Sequence, residues 1–194
     1  DVVVIGPGLG SYADSGPFLR DLIPRIRVPF IVDADGLNAL DGQVEVLRTA
    51  VAPCTLTPHP GEMSRLTRES IEAIEASRIG SALHLAEEQN VTVILKGART
   101  IITTPKGDVF INTTGNPYMA SGGMGDALTG MVAALASQGL SPTDAACAGV
   151  FLNGMSADLL VRRHPMSAVS ATDVIENIRE ALQHTMGEEP APEE

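Results

Sequence analysis

Residues 29–40 read Pro-Phe-Ile-Val-Asp-Ala-Asp-Gly-Leu-Asn-Ala-Leu. A short run of large apolar residues stops abruptly at Asp33-Ala34-Asp35-Gly36, and leucines then recur at helical spacing. An apolar run without polar alternation is the pattern of a strand covered on both faces, as in a parallel sheet packed between helices. The unit is therefore strand, polar turn, helix.

The same unit repeats outward in both directions. Upstream, Val2-Val3-Val4-Ile5 closes on Gly6-Pro7-Gly8 and reads as a buried strand, followed by Phe18, Leu19, Leu22, Ile23 and Ile26 at helical spacing. Downstream, a helical stretch through Leu37, Leu40 and Leu47 leads to a strand at Cys54-Thr55-Leu56. A helix is expected over 71–89 and a fourth strand at Val91 to Leu95. Ile101 to Thr103 and Val109 to Ile111 flank Pro105-Lys106-Gly107-Asp108, a hairpin signal. From Asp126 the chain reads as three helical blocks, with Ser141-Pro142 and Ser170/Asp173 as helix starts. Strands alternating with helices predict a three-layer αβα sandwich on a mostly parallel sheet. One domain is expected over 1–186, lacking an N-terminal part, and a disordered acidic tail over 187–194.

Composition narrows the function. With 13 Lys and Arg against 24 Asp and Glu, the formal net charge is −11. No general positive field attracts nucleic acid or an anionic membrane, so any phosphate must be held by local backbone N–H groups and a few cations. Cys54 and Cys147 are far apart and lie in apolar segments, where both read as core residues. A reducing, cytoplasmic location is the expectation. No apolar run reads as long enough to span a bilayer.

In a parallel sheet, ligands bind beyond the carboxyl ends of the strands, and the polar motifs fall there. Gly6-Pro7-Gly8-Leu9-Gly10 offers close backbone approach, or simply a tight turn. Asp33 and Asp35 offer carboxylates for Mg²⁺, or a helix N-cap at Asp35. His59 in Thr57-Pro58-His59-Pro60-Gly61-Glu62 faces a ligand or solvent, and Glu62 is placed for a first helical turn. Lys96, ahead of Gly97, Ala98, Arg99 and Thr100, brings an ammonium to the same edge, or snorkels to the surface. The strongest signal is Ala120-Ser121-Gly122-Gly123-Met124-Gly125-Asp126 opening an apolar helix. Unpaired first-turn N–H groups at the positive end of the dipole form an anion site, and an aspartate inside it is unexpected unless it is a cap.

These motifs, GPGLG, VDADGLN, TLTPHPGE, LKGAxT and TGNPxMASGGMGD in this order, resemble those of the bacterial ADP-dependent NAD(P)H-hydrate dehydratases of the ribokinase-like superfamily. The resemblance runs from Asp1 to about His184, with Tyr118 and Ala127 in place of a frequent glycine and valine. It implies phosphorylation of the hydroxyl of 6S-hydrated NADH or NADPH by ADP, then loss of phosphate, giving the reduced cofactor and AMP. It implies Asp126 as base, and Gly123, Met124 and Gly125 as the anion hole. Gly8, Gly10, His59 and Asp126 would meet the hydrated cofactor. Lys96, Gly97, Ala98, Arg99, Thr100 and Gly125 would meet the nucleotide. Mg²⁺ and a homo-oligomer are implied as well, with no metal ligand assigned. Three other readings stay open: a ribokinase-like kinase for a sugar or vitamin precursor, a non-catalytic nucleotide-binding piece, and an NAD-dependent oxidoreductase. GPGLG alone suggests the last, without the G-x-G-x-x-G spacing.

Overall fold

The computed structural model describes residues 1–10, 12–163 and 168–187. Six strands form one sheet in chain order, β1 (Val3–Ile5), β2 (Phe30–Val32), β3 (Cys54–Leu56), β4 (Thr92–Leu95), β5 (Ile101–Thr103) and β6 (Val109–Ile111). The first four pair in parallel, and β4–β5 and β5–β6 pair antiparallel. The expected mixed, mostly parallel sheet is present, with the hairpin at its end.

Parallel strands laid down in order with right-handed crossovers place every connecting helix on one face. That face carries α1 (Ser15–Leu22), α2 (Asp35–Ala39), α3 (Pro60–Thr67), α4 (Ile71–Ala76) and α5 (Arg78–Gln89). Leu19, Leu37, Met63, Ile74 and Leu85 pack there on Phe30, Val32, Leu56, Val93 and Leu95. The opposite face is covered by α6 (Met124–Ser137) and α7 (Pro142–Arg163), whose Leu128, Val132, Ala146 and Val150 meet Ile31, Ile94 and Ile102. Alternate residues of β2, β4 and β5 thus serve alternate cores. Helices α8 (Ala171–Glu176) and α9 (Ile178–Met186) pack on α7. Three layers result.

Several sequence expectations need correction. β1 is not buried on both faces: as an edge strand among the described residues, it leaves Val3 and Val4 exposed. The stretch through Leu47 is the short α2 followed by a 3-10 turn at Val44–Thr49. The helix expected over 71–89 breaks at Ser77, whose φ of −139° and ψ of 49° are not helical. Among the described residues the three C-terminal blocks are four helices, beginning at Met124. Asp35 is not an N-cap; Ala34 holds that position, and Asp35 is the first helical residue. α7 is 22 residues long, and an 18-residue window of it reaches the hydropathy of a membrane span, but over half of that window is buried within the fold. The cap expected at Ser170 is present, as a capping box with Asp173. The expected acidic tail lies outside the described residues beyond Gly187.

Candidate active site

The strand ladder itself sets out the site. Asp33, Thr57 and Lys96 each follow the last residue of a parallel strand by one position. Their backbone N–H groups continue the ladder, donating to Ile5 O (3.0 Å), Val32 O (3.3 Å) and Pro58 O (2.8 Å). Three polar side chains are thereby brought side by side at the carboxyl edge of an otherwise apolar sheet.

Asp33 is the centre of this group and is 1% exposed. Its Oδ1 accepts from Lys96 Nζ at 2.9 Å and from the Ala34 N–H at 2.8 Å, and its Oδ2 accepts from Thr129 Oγ1 at 2.8 Å. Thr57 Oγ1 lies against the same carboxylate outside good hydrogen-bonding geometry. Burial alone pushes the Asp33 pKa up, but the Lys96 ammonium and the hydrogen bonds outweigh it and hold the carboxyl below its usual range. Ala34, next along the chain, has a φ of +49° that a side-chain-bearing residue rarely adopts. It is held there by its N–H bond to Asp33 and by its carbonyl, which accepts from Asn38 N–H at 3.1 Å. Backbone strain of this kind persists where surrounding contacts over-determine it.

Lys96 does not snorkel. Its ammonium lies between Asp33 and Glu62, 3.6 Å from Glu62 Oε2, with the side chain 19% exposed. Nζ also reaches the first turn of α6: a Cβ placed on Gly125 would stand 3.4 Å from it. Glycine at 125 therefore leaves the helix start open to the cation. Gly123, at φ +83°, is the N-cap, and the first intrahelical bond runs from Ala127 N–H to Gly123 O at 3.0 Å. The N–H groups of Met124, Gly125 and Asp126 precede that bond and are left for a ligand. Asp126 is exposed in this turn, and among the described residues its carboxylate has no ion-pair or hydrogen-bond partner. A cation, free N–H groups and an unpaired carboxylate converge within one helical turn.

His59 and Glu62 are a capping box at the start of α3. His59 Nδ1 accepts from the N–H groups of Gly61 (2.9 Å) and Glu62 (3.2 Å), while Glu62 Oε2 accepts from His59 N–H at 2.8 Å. The ring is half-exposed, with Nε2 3.5 Å from Glu62 Oε1, while Glu62 Oε2 faces Lys96. Gly8 and Gly10 lie at the end of β1 with φ of +70° and +78°, and Gly10 N–H is bonded to Asp35 Oδ2 at 2.9 Å. Lys96 and Gly125 are thus brought together, and His59 joins them through Glu62. Ala98 and Arg99 line a cavity of about 360 Å³ beside Arg78 and Ile111. Thr100 donates to Gly97 O at 3.1 Å and closes the loop between them.

Residues that no sequence motif singled out hold these pieces. Arg78 Nη2 donates to Leu95 O and Lys96 O, both at 3.3 Å, behind the lysine. Asp158 of α7 accepts from Gly115 N–H (2.9 Å) and Asn116 Nδ2 (2.8 Å), tethering the loop into α6. Thr129 stands four residues after Gly125, hence on the same helix face, the one signal that could have drawn attention to it. Among the described residues no cluster of three His, Cys, Asp or Glu side chains could hold a metal. Asp33 has both oxygens filled and Glu62 faces the same Lys96 ammonium, so this pair is an ion-pair network and not an open set of metal ligands.

The mostly parallel sheet with a glycine-opened helix start at its strand ends has a ribokinase-like fold: a ribokinase-like superfamily protein of Enterococcus faecalis superposes with a TM-score of 0.79 at 28% identity over 95% of this chain and 63% of that one. The ribokinase of Thermotoga maritima matches this chain in fold, with a TM-score of 0.60 at 17% identity over 94% of this chain and 57% of that one. More narrowly, the chain belongs to the NAD(P)H-hydrate dehydratase family, whose profile matches residues 1–180. It is 44% identical over 184 residues to the bifunctional NAD(P)H-hydrate repair enzyme Nnr of Moorella thermoacetica, covering 95% of this chain and 35% of the relative. The Bacillus subtilis ADP/ATP-dependent NAD(P)H-hydrate dehydratase, co-crystallised with ATP and Mg²⁺, superposes with a TM-score of 0.84 at 30% identity over 94% of this chain and 64% of that one. The chain spans about a third of the length of the curated relatives it matches.

Proposed function

We propose that this chain catalyses the dehydration of hydrated NADH and NADPH, using ADP as phosphoryl donor. The observation that carries the reading is the meeting of Lys96, Gly125 and the unpaired Asp126 at the first turn of α6. Family membership supplies the acceptor, and the nucleotide and Mg²⁺ of the Bacillus subtilis relative agree with a phosphate-holding edge here.

In this reading Asp126 removes the proton from the hydrate hydroxyl as that oxygen attacks the β-phosphorus of ADP. The bond from β-phosphorus to the bridging oxygen breaks, and AMP leaves. Elimination of phosphate from the ring carbon, with loss of a proton from the adjacent ring carbon to solvent, restores the double bond of the reduced nicotinamide. A positioned base is worth about 10²–10⁴ in rate. The N–H groups of Met124 and Gly125 lie where charge grows on the transferred phosphoryl, each such donor being worth about 2.7–4 kcal/mol. Lys96 adds a cation on the same side. Mg²⁺ arriving with the nucleotide would neutralise phosphate charge, and no residue of this chain is assigned as its ligand. Gly8, Gly10 and the exposed part of the His59 ring are assigned to the hydrated cofactor, and Lys96 to Thr100 to the AMP moiety.

Because the chain spans only part of its relatives, a second reading is a piece that binds nucleotide without turning over. One assay separates the two. The chain is mixed with ADP, Mg²⁺ and 6S-hydrated NADH, and recovery of reduced-nicotinamide absorbance is followed beside ADP binding by calorimetry. Recovery that Asp126→Asn lowers about 10²–10⁴-fold, with ADP binding retained, supports catalysis. Binding without recovery supports the second reading, and full activity in Asp126→Asn overturns the assignment of the base.

A further inference from the structure

We infer that Thr129 is a positioning residue for the phosphate-binding lysine, acting through Asp33. The inference rests on the proposed function and names a residue on which that site depends. Thr129 is 1% exposed and lies on α6 one turn beyond Asp126. A threonine inside a helix usually returns its hydroxyl to the carbonyl four residues earlier. Here it donates at 2.8 Å to Asp33 Oδ2, a residue 96 positions away on the strand edge.

That bond divides the work of the carboxylate. With Oδ2 occupied by Thr129, Oδ1 is turned to Lys96 Nζ and to the Ala34 N–H. The plane of the Asp33 carboxylate, and with it the place of the ammonium, is set by the helix whose N–H groups form the anion hole. Thr129 thereby registers the two halves of the phosphate site against each other. Removing its hydroxyl takes away the hydrogen bond to Oδ2, leaving the carboxylate free to rotate and take Lys96 with it.

The test compares Thr129→Val, Thr129→Ser, Lys96→Met and the double variant Thr129→Val/Lys96→Met in ADP calorimetry and steady-state kinetics. Thr129→Val is expected to weaken ADP binding roughly ten- to a hundredfold, as for one lost hydrogen bond to a charged group. It should raise the KM for ADP more than it lowers kcat, whereas a general loss of folded protein lowers kcat and leaves KM alone. Thr129→Ser should restore most of the affinity. In the double variant the valine should add little to the loss from Lys96→Met, because residues acting through one another are not additive. Unchanged ADP affinity in Thr129→Val, equal impairment by serine and valine, or additive losses would each overturn the inference. If Thr129→Val does not fold, the serine variant decides by its ADP affinity: wild-type-like binding supports the inference, and a valine-sized loss overturns it. Failure of the unsubstituted chain to bind ADP overturns the parent reading along with it, whereas the outcomes above leave that reading standing.

Discussion

Asp33 concentrates the energetics of the site in a single side chain. It is a buried anion with a partly buried cation 2.9 Å away, and three good donors fill its oxygens. Such a pair gives little net stability over an apolar replacement, but removing one partner strands the other, at about 3–5 kcal/mol. Asp33→Asn is therefore expected to lower urea-unfolding stability near neutral pH by roughly that amount. The sign of the pH dependence follows from the lowered pKa. A carboxyl held below its ordinary 3.8 contributes stability that is complete above that value and is lost as pH falls through the folded-state value. Urea unfolding as a function of pH should thus converge for wild type and Asp33→Asn toward acid, once the charge of Asp33 is titrated away. Parallel curves down to the acid limit would contradict the assignment. Burial pushes the Cys54 thiol far up, which keeps it an inert core group rather than a nucleophile.

At the scale of elements, close backbone approach decides where β1 and α2 can lie. Gly6 has a φ of +129°, and a Cβ there would stand 1.7 Å from the carbonyl oxygen of Asp33. Gly36 faces it, its own Cβ position 2.8 Å from Ile5 O. The end of β1 and the start of α2 touch main chain to main chain, which keeps Gly10 within reach of Asp35. Gly8 also has positive φ, but its Cβ would meet nothing within 4 Å. The two glycines of one motif therefore predict different outcomes. Gly6→Ala should prevent native folding, read by circular dichroism and expression in soluble form. Gly8→Ala should cost about 1–2 kcal/mol, the strain of a left-handed residue, measured as a shift in the urea midpoint. The reverse order would contradict the packing. A similar close contact joins α7 to the loop before α6, where a Cβ on Gly154 would lie 2.3 Å from Thr114 Oγ1.

Over the whole molecule, the sheet is shared between two apolar layers. Phe30, Val32, Val93 and Leu95 face α1 to α5, while Ile31 and Ile94 face α6 and α7. Neighbouring residues of one strand anchor opposite cores, so neither core should come apart alone. Leu56→Ala on the first face and Ile94→Ala on the second should each destabilise by about 2–5 kcal/mol. Both should lower the midpoint of one common transition seen by far-ultraviolet circular dichroism and by tyrosine fluorescence. Two separated transitions in either variant would show the layers to be independent. The negative charge of −11 is spread over this scaffold, and the candidate phosphate site works against it through local groups.

The order of strands and helices, the parallel sheet and the edge at which polar groups gather were all legible in the sequence. They depend on local patterns: apolar runs, glycines at strand ends and caps at helix starts. Lys96, Gly125 and Asp126 were legible in the same way, as residues at predictable ends of elements. Membership of one site was not. Asp33 read equally well as a metal-binding carboxylate or a turn residue, His59 as a ligand contact or a solvent-facing ring, and Thr129 drew no attention. Their partners lie 63 residues away for Asp33 and Lys96 and 96 for Asp33 and Thr129. A hydrogen bond across such a distance leaves no periodicity or spacing in the chain. Only the tertiary structure, by setting three strand ends beside one helix start, decided that a lysine expected to contact phosphate is held in place by a buried aspartate and a helix threonine.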